Sequence, residues 1–401
     1  NYDKLINKEF DTSLLKRDNL TVTPNIMFFK RDSQGFLPEI LEDLYNRRKT
    51  SKQKMIECQQ KLQTATGEEK QKYLNLISKH NNDQLARKVQ LNSAYGALGN
   101  QYFRFYDLRI AEAVTKAGQL SIRWIESKVN KYLNTLMGTE NEDFVVASDT
   151  DSIYLTLDSL VNLSFGRSLE TYIDDCYQEL ADYMNAYDQK MVMTRETIAS
   201  KGLWTAKKRY VLNVYNNEGV SYAEPKLKVM GLEAVKSSTP EVCRDNIKKA
   251  IIMTGTEDDM IDFIESFKTK FKNLSPEEVA FPRGVNGVKK YTQGNTYIKR
   301  TPIHVKGSII YNRLVKENKL EFQYQRITDG DKIRFLYLIE PNPVQDSVIS
   351  IVNNLPEEFG LKQYVDYDKQ FVKSFLDPIK VMLDCIGWKA EHASSLERFF
   401  G

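Results

Sequence analysis

The sharpest chemical signal is Asp149-Thr150-Asp151, two carboxylates two positions apart. On an extended strand residues i and i+2 point to one face. Both acids would then project together, and a divalent cation would relieve their repulsion. Hard oxygen ligands suit magnesium. Such a triplet also occurs in plain surface turns and in metal-using nucleotide-sugar transferases, so it does not fix a reaction alone. Its setting adds weight. Phe144-Val145-Val146-Ala147 and Ile153-Tyr154-Leu155-Thr156-Leu157 are β-prone and flank Ser148 to Ser152, which reads as a β-hairpin carrying acids at its turn. Another acid, Glu196, stands just before a basic run.

The second constellation is Lys88, Asn92 and Tyr95, spaced i, i+4 and i+7, with Gly96 following. On a helix these put an ammonium, an amide and an aromatic ring on one face. Such a face could bind a triphosphate and stack under a base; the plainer reading is a solvated lysine with Tyr95 in a core. Arg48 and Lys52 are also i and i+4. If their helix faces the first, the cationic edges converge. Three cations around one triphosphate suit phosphoryl transfer, where catalysis is mostly positioning and charge neutralisation.

Charge elsewhere points the same way. The net charge is only +3, from 57 basic and 54 acidic residues, but the cations are grouped. Residues 46–54 hold Arg47, Arg48, Lys49, Lys52 and Lys54 with no acid. Lys201, Lys207, Lys208 and Arg209 form a second run, and residues 281–306 an acid-free third with Arg283, Lys289, Lys290, Lys299, Arg300 and Lys306. One such run is usually a solvated face. Three suggest cations reserved for a polyanion such as nucleic acid.

The elements that must position these residues follow from pattern. With 401 residues, 41% of them hydrophobic, the chain can bury cores in two or three domains. No apolar run approaches the roughly 20 residues of a membrane span, and the first residues carry no signal segment, so an intracellular protein without membrane partners is expected. Cys58, Cys176, Cys243 and Cys385 are dispersed, which suggests neither zinc nor disulfides but buried small apolar groups. Pro38 as a first helical residue, with Ile40, Leu41, Leu44 and Tyr45 behind it, predicts a helix to about Gln63. It breaks at Thr64 to Gly67, and Thr66 with Glu69 predicts a capping box for a second helix running toward Tyr95. A long helical hairpin results. Strands are expected from Tyr210 to Met230 around a turn at Asn216-Asn217-Glu218-Gly219. Thr239 and Gly255 are expected to cap a helix at its two ends, with a boundary near Ser238. The tail ends on Leu396, Phe399 and Phe400, and exposed apolar groups need a reason.

Together these motifs resemble family B DNA polymerases, specifically those of T-even-type bacteriophages. Asp149-Thr150-Asp151-Ser152 is similar to the palm motif, and Lys88-xxx-Asn92-Ser93-x-Tyr95-Gly96 to the fingers motif. Lys207-Lys208-Arg209-Tyr210 resembles the motif that contacts primer-template. Lys226-Leu227-Lys228-Val229-Met230-Gly231-Leu232-Glu233 with Lys236-Ser237-Ser238-Thr239-Pro240 resembles the phage group, and the tail resembles its sliding-clamp tether.

The resemblance implies an α+β, right-hand architecture: an entry segment at 1–37, helical-hairpin fingers at 38–98, an antiparallel-sheet palm at 99–239, a mostly helical thumb at 240–389 and a clamp-binding tail at 390–401. It implies two Mg2+ ions, with Mn2+ able to substitute, held by Asp151 and Asp149 with Glu196 nearby. Arg48, Lys52 and Lys88 would hold the dNTP triphosphate, with Lys88 also assisting the leaving pyrophosphate. Asn92 and Tyr95 would flank the nascent pair. Lys207, Lys208, Arg209, Tyr210, Lys226 and Lys228 would grip primer-template DNA, and Leu396, Phe399 and Phe400 the sliding clamp. Expected location is the cytoplasm of an infected bacterium.

Two departures stand out. Ala147-Ser148 replaces the usual Tyr-Gly before the palm aspartate. The family's other palm motif, an aspartate before a Ser-Leu-Tyr-Pro-Ser-like turn, has no counterpart in these residues, nor do the exonuclease motifs. A fragment or split half, catalytic only with an amino-terminal partner and otherwise a binding module, is therefore expected.

Overall fold

The computed structural model describes residues 2–157, 163–253 and 255–392. The chain divides into two compact units, residues 1–199 with 214–225, and residues 200–213 with 226–401.

In the first unit, short helices α1 (Tyr2–Ile6) and α2 (Ser13–Arg17) and a hairpin of β1 (Leu20–Val22) and β2 (Phe28–Lys30) lead into α3 (Phe36–Leu62) and α4 (Gly67–Leu98). These last two are the expected hairpin. Pro38 sits in the first turn of α3, two residues later than read from sequence, where its missing N–H costs nothing. Thr66 is the N-cap of α4, but its side chain makes no capping bond; Glu69 instead accepts from the Tyr73 hydroxyl at 3.2 Å. The buried residues of α3 and α4 are Ser51, Gln84 and, at the base, Leu98. Elsewhere the hairpin leaves its side chains at least partly in solvent.

Below it runs α5 (Leu108–Met137). Asp107 caps it, accepting from the Arg109 N–H at 2.9 Å, and Gly138 ends it at φ 66°. Its buried stripe of Leu120, Trp124, Ile125, Val129 and Leu133 packs on Ile173, Cys176, Tyr177 and Leu180 of α6 (Leu163–Tyr183) and on Phe144 and Val145. Each such side chain stabilises by about 1.5–3 kcal/mol. The Trp124 indole donates to the Cys176 carbonyl at 2.8 Å, satisfying its buried N–H. On this base sits the antiparallel pair β3 (Val145–Asp149) and β4 (Ser152–Leu155).

A sheet ordered β5 (Thr197–Ala206), β6 (Arg209–Asn217), β7 (Val220–Met230) contributes to both units. Pro225 lies in β7, an edge strand, where its missing donor is tolerated. The rest of the second unit is α7 (Glu241–Ile252), α8 (Glu257–Phe271), α9 (Pro276–Val279), β8 (Phe281–Gly284), α10 (Val288–Tyr291), β9 (Thr292–Gln293), β10 (Thr296–Tyr297), α11 (Ile303–Glu317), β11 (Lys332–Tyr337), β12 (Val348–Ile351), α12 (Tyr367–Phe371) and α13 (Asp377–Asp384). One apolar core joins them, with Phe267, Phe271, Phe371 and Phe375 linked by edge and tilted ring contacts. The expected caps of α7 are not formed. Pro240 is its N-cap and Met253 its C-cap, while a full capping box of Thr256 and Asp259 starts α8. The mixture of helices with small antiparallel sheets is α+β.

Candidate active site

Asp149 is the last residue of β3 and pairs with Ser152, so Thr150 and Asp151 form the whole loop. The Asp151 N–H donates to the Asp149 carbonyl at 2.7 Å across Thr150, which adopts φ 59°. A β-branched residue at positive φ is strained. The two carboxylates therefore share a tight hairpin tip and not one face of a continuous strand, because the chain reverses between them. Asp149 is half-buried and accepts from the Thr150 hydroxyl at 3.0 Å; Asp151 is exposed. Ala147 and Ser148 lie opposite Tyr154 and Ile153.

Tyr177 on α6 has a buried hydroxyl that sequence reasoning missed. Burial, then the charges of Asp151 and Asp174, push it up to about 12. It stays protonated beside Asp151. Glu196, exposed, immediately precedes β5, and its carbonyl accepts from the Glu218 N–H at 2.5 Å. Among the described residues no three histidine, cysteine or acidic side chains gather into a metal-holding group. The donor chemistry of Asp149 and Asp151 fits a hard, oxygen-liganded cation, but these two supply only part of a coordination shell.

On the helical hairpin, Lys88, Asn92 and Tyr95 are all exposed. That rejects the core reading of Tyr95 and leaves its ring available for stacking. Arg48 and Lys52 on α3 are half-buried. The Arg48 Nε is buried without a hydrogen-bond partner, and such an atom asks for an acceptor. Lys52 is bridged to Glu218 at 2.6 Å. At about 1.5 Å rise per residue, Lys88 lies roughly 10 Å further from the hairpin turn than Arg48, a gap that long side chains on an extended triphosphate can share.

In the second unit Lys207 and Lys208 form the exposed β5–β6 loop, with Lys208 at φ 64°. Arg209 is bonded to Glu233. Tyr210 is 8% exposed with its ring 6.1 Å from Trp204, so it supports the strand and does not face solvent. Lys226 is exposed and Lys228 half-buried along β7. Of the third basic stretch, Arg283 is internal, donating to the Ser238 carbonyl at 2.7 Å over Phe281 and Phe335. Lys306 is bridged to buried Asp346 at 2.6 Å. Lys289, Lys290, Lys299 and Arg300 remain exposed. Leu396, Phe399 and Phe400 lie outside the described residues.

The first unit thus carries a hairpin tip bearing two acids and a helical pair bearing grouped cations, and the second carries exposed basic loops. The family profile of DNA polymerase family B matches residues 1–386, and the chain belongs to that family. It is 32% identical over 454 aligned positions to the DNA-directed DNA polymerase of Enterobacteria phage T4, covering 96% of this chain and 50% of that protein. It is likewise 32% identical to the DNA-directed DNA polymerase of Escherichia phage RB69, with the same coverage. The DNA polymerase delta catalytic subunit of Drosophila melanogaster is 33% identical over 35% of this chain. The chain thus spans half the length of its phage relatives. Among the described residues no helix is long and apolar enough to cross a membrane.

Proposed function

We propose that the chain is the fingers, palm and thumb part of a phage-type, template-directed DNA polymerase that joins a dNTP to a primer 3′ hydroxyl. The observation that carries this reading is the placement in one compact unit of the acid-bearing β3–β4 tip and of a hairpin whose α3 and α4 carry Arg48, Lys52 and Lys88. Arg48, Lys52 and Lys88 would neutralise the triphosphate and align it, with Lys88 steadying the leaving pyrophosphate. Exposed Tyr95 and Asn92 would border the nascent pair. Asp149 and Asp151 would hold Mg2+, which when bound supplies charge stabilisation for the transferred phosphoryl group. Lys207 and Lys208 would meet phosphates of the primer-template.

The right-hand arrangement, the clamp-binding tail and the location in an infected host's cytoplasm belong to the same proposal. The missing palm aspartate would come from an amino-terminal portion. Mixing this chain with that portion and a labelled primer-template tests it: only the mixture should extend the primer. Extension by this chain alone, or none by the mixture, would overturn the proposal, whereas DNA binding by the chain without extension is its expected solitary behaviour.

A further inference from the structure

Lys52 and Glu218 are 166 positions apart in the chain and 2.6 Å apart in space, with side chains only 33% and 23% exposed. A pair so enclosed is screened less than a surface one. Glu218 is also oddly placed. The β6–β7 loop is Glu218-Gly219, at φ 51° and 81°, and a two-residue loop with both φ positive favours Asn-Gly. Glutamate accepts backbone strain there, and strain held by its surroundings points toward function. The surroundings do hold it. The Glu218 N–H donates to the Glu196 carbonyl, and Asn216 accepts from the Gly219 N–H at 3.2 Å. The loop is also fixed to α3 further along. Gln63, about three turns beyond Lys52 and on the same face, donates to the Ser221 carbonyl at 3.0 Å.

Arg48 and Lys52 on α3 are thus unequal. Arg48 has a buried Nε without a partner, while one turn away Lys52 already has a carboxylate. We propose that Glu218 acts as an internal substitute for nucleotide phosphate: it holds the Lys52 ammonium at the fingers, and an incoming nucleoside triphosphate must displace it to engage that lysine. The pairing also spares α3 the like-charge repulsion of Arg48 and Lys52 at i and i+4. Glu218 is a positioning residue, acting through Lys52, and the inference rests on reading Lys52 as a triphosphate ligand.

The test is steady-state incorporation of dNTP by this chain assembled with its amino-terminal portion. Glu218→Gln should lower the KM for dNTP about threefold to tenfold, leave kcat within twofold, and leave primer-template affinity unchanged. Glu218→Asn, better suited to the loop, should do the same with no loss of thermal stability, which guards against a folding artefact. Lys52→Ala should raise the KM, and adding Glu218→Gln to it should change nothing further. If Lys52→Ala raises the KM but both Glu218 variants leave it unchanged or higher, the proposed displacement is wrong while the nucleotide reading stands. If Lys52→Ala has no effect on KM, the lysine assignment falls and the inference with it.

Discussion

The Arg209 guanidinium donates to one oxygen of Glu233 at 2.5 Å, and the Lys236 ammonium donates to the other at 2.9 Å. Arg209 therefore braces the Lys207-Lys208 loop from within the protein. Burial raises the Glu233 carboxyl, but Lys236, the backbone and Arg209 outweigh it, and the group lies below its ordinary 4.5. A depressed carboxylate contributes stability that is present above the unfolded value and lost as pH falls through the folded one. Glu233→Gln should cost about 1–3 kcal/mol near neutrality, because Arg209 keeps a half-buried charge without its partner. Urea melts should show the gap between parent and variant closing below about pH 4.5. A gap that stayed constant to pH 3 would mean that the carboxylate charge plays no part.

The same pairing separates two kinds of basic residue. Lys208→Ala should weaken primer-template binding and reduce the salt slope by about one unit, whereas Arg209→Ala should lower thermal stability with little change of slope. Lys88→Ala should instead raise the dNTP requirement and slow incorporation with DNA affinity kept. If Lys88→Ala and Lys208→Ala altered only DNA affinity, the fingers would be misplaced.

At the hairpin tip, Asp151→Ala in the assembled polymerase should abolish incorporation while duplex binding persists, since neutralising phosphoryl charge is the main catalytic task. Single-turnover assays beside a binding titration decide this. Extension within tenfold of the parent would remove Asp151 from the site.

The tail offers an independent reading. Deleting Leu396 to Gly401 should leave distributive synthesis and thermal stability unchanged and remove the gain in processivity given by a clamp. A lower melting temperature with the clamp response intact would assign Leu396, Phe399 and Phe400 to the protein's own core.

Local chemistry was legible in the sequence and long-range pairing was not. The break read at Thr64 to Gly67, the acid-bearing turn at Thr150 and the turn read at Asn216 to Gly219 are each set by neighbouring residues. Each is present, though the helix break falls at residues 63–66 and the last turn narrows to Glu218-Gly219 because β6 runs on to Asn217. By contrast, α5 carried a capping aspartate at Asp107 and a terminal glycine at Gly138, yet its stripe was overlooked beside the louder motifs. Thr66 and Glu69 have the spacing of a capping box but do not form one, since Glu69 bonds Tyr73 instead. Basic runs misled for a similar reason. Arg283 and Lys306 look like polyanion ligands until Ser238 and Asp346, 45 and 40 residues away, are seen to hold them. Burial of Tyr210 against Trp204 is equally invisible without the sheet that brings them together.

The bracing of the basic loop makes a last prediction, at Gly231. Its φ is 67°, and a Cβ there would stand 2.1 Å from the Lys208 carbonyl oxygen and 3.2 Å from Arg209 Cγ. Gly360 in the same unit has nearly the same backbone, φ 62°, but nothing within 4 Å of an added Cβ. Alanine at either position takes on the left-handed penalty of about 1–2 kcal/mol. At Gly231 it must also push a backbone carbonyl out of the loop that carries Lys207 and Lys208, and backbone yields far less readily than a side-chain tip. Gly360→Ala should therefore lose about 1 kcal/mol and keep DNA affinity, while Gly231→Ala should lose at least about 3 kcal/mol and weaken DNA binding. Paired urea melts and DNA titrations provide the measurement. Equal losses at the two glycines would show that the approach of Lys208 to Gly231 exerts no steric control over the loop.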